Sequence, residues 1–232
     1  MAVPTDSGET FLREVDENLR RDQLQHIARK YGAWIAAGVV LLLVATGGWI
    51  YWQDRQEKKA GEQSEVLAQI YTDIGAGKLA TAPQRLDALA AETSGALKAS
   101  VMLTRAAVAV DQNDRPLAIR KLREIAADDE LPQPYRDLAL IRSTTMEFDT
   151  IRPEQVVARL QPLTKPGNPW FGSAGELTAM ALIKQGKKLE AGRLFAAIAA
   201  DQQVPESLRA RSVQIAGTLG VDASASMPTL PQ

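Results

Sequence analysis

Hydrophobic and polar positions divide this chain into three regions. Residues 11–30 (FLREVDENLRRDQLQHIARK) place Phe11, Leu12, Val15, Leu19 and Ile27 at roughly helical spacing among Glu14, Glu17, Arg20 and Arg21. That is the pattern of a short amphipathic helix. Residues 31–52 (YGAWIAAGVVLLLVATGGWIYW) then run for 22 positions without a charge. From residue 53 on the pattern returns to helical period, with no convincing strand alternation, and Gly, Asn-Asp and Pro break it into paired stretches.

The uncharged run predicts a transmembrane helix. At about 1.5 Å per residue it reaches roughly 33 Å, enough for the ~30 Å hydrocarbon core of a bilayer. An isolated span must be helical, because lipid offers no partner to backbone N–H and C=O groups. Tyr31 and Trp34 at one end, and Trp49, Tyr51 and Trp52 at the other, are expected as membrane-interface anchors, rings in hydrocarbon and polar tips among headgroups. A cleaved signal peptide would have a shorter apolar stretch and small residues at its end, where this chain has Trp-Ile-Tyr-Trp. A buried soluble helix is the other alternative, although few are apolar on every face for six turns. Arg13, Arg20, Arg21, Arg29 and Lys30 on the amino side outnumber Arg55, Lys58 and Lys59 on the carboxy side, which places the amino end in the cytoplasm.

Beyond the span the expected pairs are 60–75 with 82–92, 95–111 with 116–127, 134–148 with 153–163 and 171–185 with 187–200. A closing helix follows at 205–219. Pro116, Pro134, Pro153 and Pro205 suit first-turn positions, where a missing N–H costs little. Each pair has one apolar face that it cannot bury alone, so stacking on neighbours is the physical solution. In a tetratricopeptide repeat the second helix carries a small residue and, four positions on, a large one. Ala82/Leu86, Ala118/Leu122, Val156/Leu160 and Ala191/Phe195 fit, spaced by 36, 38 and 35 residues against an ideal of about 34. The third unit is the poorest, with Val at the small position. The fold class is therefore all-α: a single N-terminal transmembrane helix, then an α-solenoid of about four helix pairs plus a closing helix. The expected boundaries are a leader at 1–30, disordered over 1–10, the span at 31–52, the repeats at 53–220 and a disordered tail at 221–232.

Composition narrows the chemistry. After the span, 22 Lys and Arg balance 22 Asp and Glu, so there is no concentrated basic footprint for nucleic acid. The chain has no Cys and one His, His26, ahead of the span. The repeat region thus excludes Ser–His and Cys–His nucleophilic pairs and imidazole or thiolate metal sites. No glycine-rich phosphate loop is present. No catalytic residue, cofactor, metal or small-molecule substrate is expected. The one enzymatic alternative, a carboxylate hydrolase built on Asp128, Asp129 and Glu130, is weak because adjacent residues do not converge on one helix face.

Over nearly its whole length the chain resembles the tetratricopeptide-repeat-like family that includes the ancillary subunit of the bacterial SecYEG translocon. The segment FLREVDENLRRDQLQHIARKYG (11–32), running into the span, carries the resemblance most clearly. It implies a single-pass inner-membrane protein with a periplasmic repeat domain. The implied partners are translocon subunits, a periplasmic chaperone and unfolded client chains, with the protein assisting newly translocated chains. A generic envelope-assembly or cell-division scaffold is the alternative, since helical repeats serve many partners. In such repeats the first helix of each pair lines the concave surface. The phases above then nominate Leu103, Ala107 and Val110, then Ile141, Thr145 and Phe148, then Glu176, Met180 and Ile183. Ordinary inter-helix core is the competing role for most of them. Trp170, outside the span, either packs against the core or forms an exposed contact.

Overall fold

The computed structural model describes residues 7–226, with side chains from Ala33 onward apart from Ile35. The expectations for residues 1–6 and 227–232, the apolar face of 11–30, His26 and the Tyr31 ring lie outside what is described. The chain divides after Gly61 into two compact units.

Helix α1 (Ser7–Gly75) runs unbroken through the expected amphipathic stretch, the span and the first repeat helix. It begins inside the stretch expected to be a disordered leader. Among the described residues its apolar part is long enough to cross a membrane, and the protein covers none of it. Val39, Val40, Leu41, Leu42, Leu43 and Val44 are all more than half exposed. A soluble core helix would bury one face, so the buried-helix alternative fails. Within this stretch the Thr46 hydroxyl donates to the Leu42 carbonyl at 2.7 Å, which satisfies it without water. At the far end the Trp49 and Trp52 rings lie 5.9 Å apart, and the Arg55 guanidinium sits 5.4 Å from the centre of the Tyr51 ring.

The second unit, from Glu62, is a two-layer stack of helices. Its first helices are the end of α1, α3 (Gly95–Asp111), α5 (Gln133–Glu147), α7 (Phe171–Lys184) and α9 (Glu206–Thr218). Its second helices are α2 (Ala82–Glu92), α4 (Arg115–Ala127), α6 (Pro153–Leu160) and α8 (Lys188–Ala200). Each apolar cluster joins one pair to the first helix of the next. Leu67 and Ile70 of α1 pack with Leu86 and Leu89 of α2 and Val101 and Val108 of α3. The clusters that follow centre on Leu122 and Ile125, then Leu160 and Leu163, then Phe171, Phe195 and Ile198. The small-then-large positions land as expected, since Ala82, Leu86, Ala118, Leu122, Val156, Leu160, Ala191 and Phe195 are all buried.

Of the four first helices that are followed by a second helix, three end in the same way. The second residue past the helix is left-handed: Gly77 (φ +77°) after α1, Asn113 (φ +59°) after α3 and Gly186 (φ +78°) after α7. The next N–H then reaches back, Lys78 to Asp73, Asp114 to Ala109 and Lys187 to Leu182, at 2.8–2.9 Å. This Schellman closure satisfies the last carbonyls and reverses the chain within the pair. Pro116, Pro134 and Pro153 occupy first-turn positions, while Pro205 stands one residue ahead of α9. Pro162 ends α6 early, because it brings no N–H, and the chain continues as a 3-10 turn at Gln161–Leu163.

The end of the stack departs from the expected tail. Val221 and Ala223 pack against the α7–α9 cluster, and a short 3-10 turn follows at Ser224–Ser226. A Cβ on Gly192 of α8 would lie 2.7 Å from Val221 Cγ2 and 3.2 Å from Leu219 Cβ. Glycine there lets this last segment close over α8.

Candidate functional site

The first helices α3 and α5 and the end of α1 form an exposed face with a groove. One cleft, about 490 Å³, is lined by Leu103, Ala106, Ala107, Val110, Leu122 and Met146, with Asp111, Arg115, Arg142 and Thr145 around it. A second, about 380 Å³, lies between α1, α3 and α5 and is bordered by Tyr71, Ser100, Thr104 and Leu138. The two share Leu103, Ala107, Asp111 and Arg142, so they meet across α3. The groove exists because small residues occupy α3 where it faces α5: alanines at 106 and 107 leave space that larger side chains would fill.

Leu103, Ala107, Val110 and Thr145, named from the sequence, come together in the first cleft. Val110 is 48% exposed, an apolar side chain that the domain leaves uncovered. The other nominated positions are dispersed. Ile141 is buried in the α5–α7 cluster, with Phe148 half-buried against it. Ile183 packs on the α7–α9 cluster, Met180 is exposed, and Glu176 is ion-paired with Arg211 of α9 at 2.7 Å. The phase on α5 therefore differs by one residue from the expected one: Ile141 faces the core and Arg142 faces the groove.

Arg142 and Arg115 escaped the sequence reading. Arg115 donates to the Met146 carbonyl. Arg142 is exposed and, among the described residues, its side chain has neither an ion pair nor a hydrogen bond, and the same holds for the Asp111 side chain. The available signal was the spacing 138, 142, 145, which sets Arg142 on one helical face with Leu138 and Thr145. Past the rim, Lys184 lies 4.3 Å from the centre of the Phe148 ring and 2.8 Å from the Asp149 carboxylate. That hydrogen bond, then the Lys184 charge and more weakly Arg115, hold the Asp149 carboxyl below its usual range.

A carboxylate of another kind lies deeper. Glu147, 5% exposed, accepts from Arg123 of α4 and, at 2.8 Å, from Arg159 of α6. It ties three helices together and lines neither cleft of the groove. The acids Asp128, Asp129 and Glu130 turn to separate tasks. Asp128 pairs with Lys98 at 3.3 Å and accepts the Glu130 N–H, and Asp129 pairs with Arg136. Trp170 is half-buried against the α5–α7 cluster at the start of α7, its backbone N–H bonded to the Asn168 side chain at 2.8 Å. Among the described residues no His, Asp or Glu cluster could hold a metal ion.

A family model described as a tetratricopeptide repeat-like domain matches residues 12–215. The chain belongs to that family. The match to the tetratricopeptide repeat-like family takes in the apolar span as well as the four helix pairs. The chain is also similar to the ancillary SecYEG translocon subunit of Escherichia coli (strain K12), at 29% identity over 181 residues. That alignment covers 75% of this chain and 84% of the other. No solved structure matches.

Proposed function

We propose that this protein is a membrane-anchored scaffold that associates with the SecYEG translocon and a periplasmic chaperone and assists newly translocated chains. The observation that carries the reading is coverage. The likeness to the ancillary translocon subunit extends over three quarters of this chain and 84% of that protein, and the family match takes in the apolar span as well as the repeats. On this reading the uncovered apolar part of α1 crosses the inner membrane once at 31–52. The amino end lies in the cytoplasm and the repeat domain in the periplasm, following the positive flank at residues 13–30. Tyr31, Trp34, Trp49, Tyr51 and Trp52 anchor the two interfaces. The repeat domain acts by binding, and the groove over α3 is its working surface. The anchor confines that surface near the membrane and so raises its effective concentration for partners there.

The test is to purify the tagged full-length protein in mild detergent after crosslinking in cells and to identify what accompanies it. Recovery of SecY, SecE or SecG with a periplasmic chaperone, lost when the span is exchanged, is the expected result. Recovery of cell-wall or outer-membrane assembly factors without translocon subunits would establish the generic envelope scaffold instead.

A further inference from the structure

We propose that the groove over α3 takes an extended polypeptide segment in which a large apolar side chain is followed closely by a carboxylate. The apolar side chain enters the cleft between Leu103, Val110 and Met146, and the carboxylate meets Arg142. This rests on the reading of the repeat domain as a protein-binding scaffold and specifies what its groove selects.

The first cleft is of the size and apolar character of a preformed ligand pocket, and Val110 leaves apolar surface whose removal from water favours binding. Arg142 borders both clefts without a partner of its own, whereas the nearby cations Arg115 and Lys184 are already engaged. A carboxylate one or two residues from the apolar anchor reaches that guanidinium, at about 3.3 Å of advance per residue. Asp111, whose side chain is also unpartnered, borders the same two clefts and repels a second acid there.

The hydroxyls along the groove favour an extended chain over a helix. Thr104 donates to the Ser100 carbonyl, Ser100 to Ala96 and Thr145 to Ile141, each within its own helix. Their protons are spent; the Ser100 and Thr145 oxygens remain as acceptors, while the Thr104 oxygen already accepts from the Tyr71 hydroxyl at 2.9 Å. An extended segment brings free backbone N–H groups to such acceptors, while a helix has already used most of its own.

The test uses the full chain in phosphatidylcholine nanodiscs with 13C-methyl methionine, reading the Met146 methyl signal so that weak binding is seen and located. The probes are short Gly/Ser peptides with a central Phe–Asp, Phe–Asn or Phe–Lys pair. Phe–Asp is expected to shift Met146 and to bind roughly threefold to fivefold more tightly than Phe–Asn, the range of a partly exposed ion pair. Arg142→Glu should reverse the order in favour of Phe–Lys with the helical circular dichroism unchanged. No Met146 shift at millimolar peptide, equal affinity for all three, or no reversal in the variant overturns the proposal. So does a stapled helical peptide that binds better than the flexible one. Crosslinking of the unaltered protein separates the two levels. Translocon subunits recovered while the peptides fail leaves the scaffold reading standing and removes this one. Their absence removes the translocon association on its own evidence.

Discussion

Glu147 shows how much a single side chain can decide in a stack of short helices. Its carboxylate is buried while Arg123 and Arg159 keep part of their surface in water, so its replacement removes the bonds without stranding a fully buried cation. Glu147→Gln should cost about 1.5–3 kcal/mol, the worth of hydrogen bonds to a charged group, seen as a lower urea midpoint for the full chain in detergent. An unchanged midpoint would show that the two arginines contribute nothing there. Glycines offer a paired comparison. Gly192→Ala meets Val221 and Leu219 and should lose about 1–3 kcal/mol through overpacking, with faster proteolysis around residue 221. Gly217→Ala in α9 meets nothing within 4 Å and should gain roughly 0.5–1 kcal/mol from lower unfolded-state entropy. Equal effects at the two sites would refute the close approach of the last segment to α8.

Among the elements, the third pair tests what the repeat pattern requires. Val156 stands where the other pairs have alanine, yet it is fully buried and packs with Leu160 and Leu163. The helices have adapted to the larger side chain, so Val156→Ala should open a cavity and cost about 2 kcal/mol rather than relieve crowding. A stabilised variant, read from the thermal midpoint, would mean the packing there is strained. The junction of α1 and α2 carries a pH dependence. Asp73 accepts from Arg85 at 2.6 Å, with Lys78 3.5 Å away, and these hold its carboxyl below the usual range, the Arg85 hydrogen bond contributing most. A depressed pKa gives stability that is present above the unfolded value near 3.9 and is lost as pH falls through the folded one. Below about pH 4 the wild type should lose the advantage it holds over Asp73→Asn at neutral pH. A gap between the two that persists at low pH would assign the effect to packing instead.

For the molecule as a whole, the proposed orientation, amino end in the cytoplasm and repeats in the periplasm, can be read by labelling. The chain has no native Cys, so a single Cys at exposed Gln202 can report it. An impermeant maleimide should label that Cys in intact cells once the outer membrane is permeabilised. A Cys placed at Ser7 should react only after the inner membrane is broken. The opposite pattern would invert the orientation proposed above. The element pattern was legible here because its signals are local. An uncharged run, prolines at first turns and a small residue four positions before a large one each act within a few residues. The groove was legible only in part. Leu103, Ala107, Val110 and Thr145 fell into it, but Ile141 and Arg142 exchanged roles, since helical period gives a face to within one residue and no closer.

By itself the sequence determined the all-α class, the position of the apolar helix and the pairing of the repeats, because chain-local propensities and periodicity dictate them. Its Gly and Asn-Asp breaks also marked turns within pairs, and two of them, at Asn113 and Gly186, close in the left-handed region that these residue types enter most easily. Only the tertiary structure decided that Glu147 would bind α4, α5 and α6 together, that 219–223 would fold back over α8, and that Arg142 would stand unpartnered beside a cleft. Those outcomes depend on where helices far apart in sequence meet, and on how closely, which no single helix encodes.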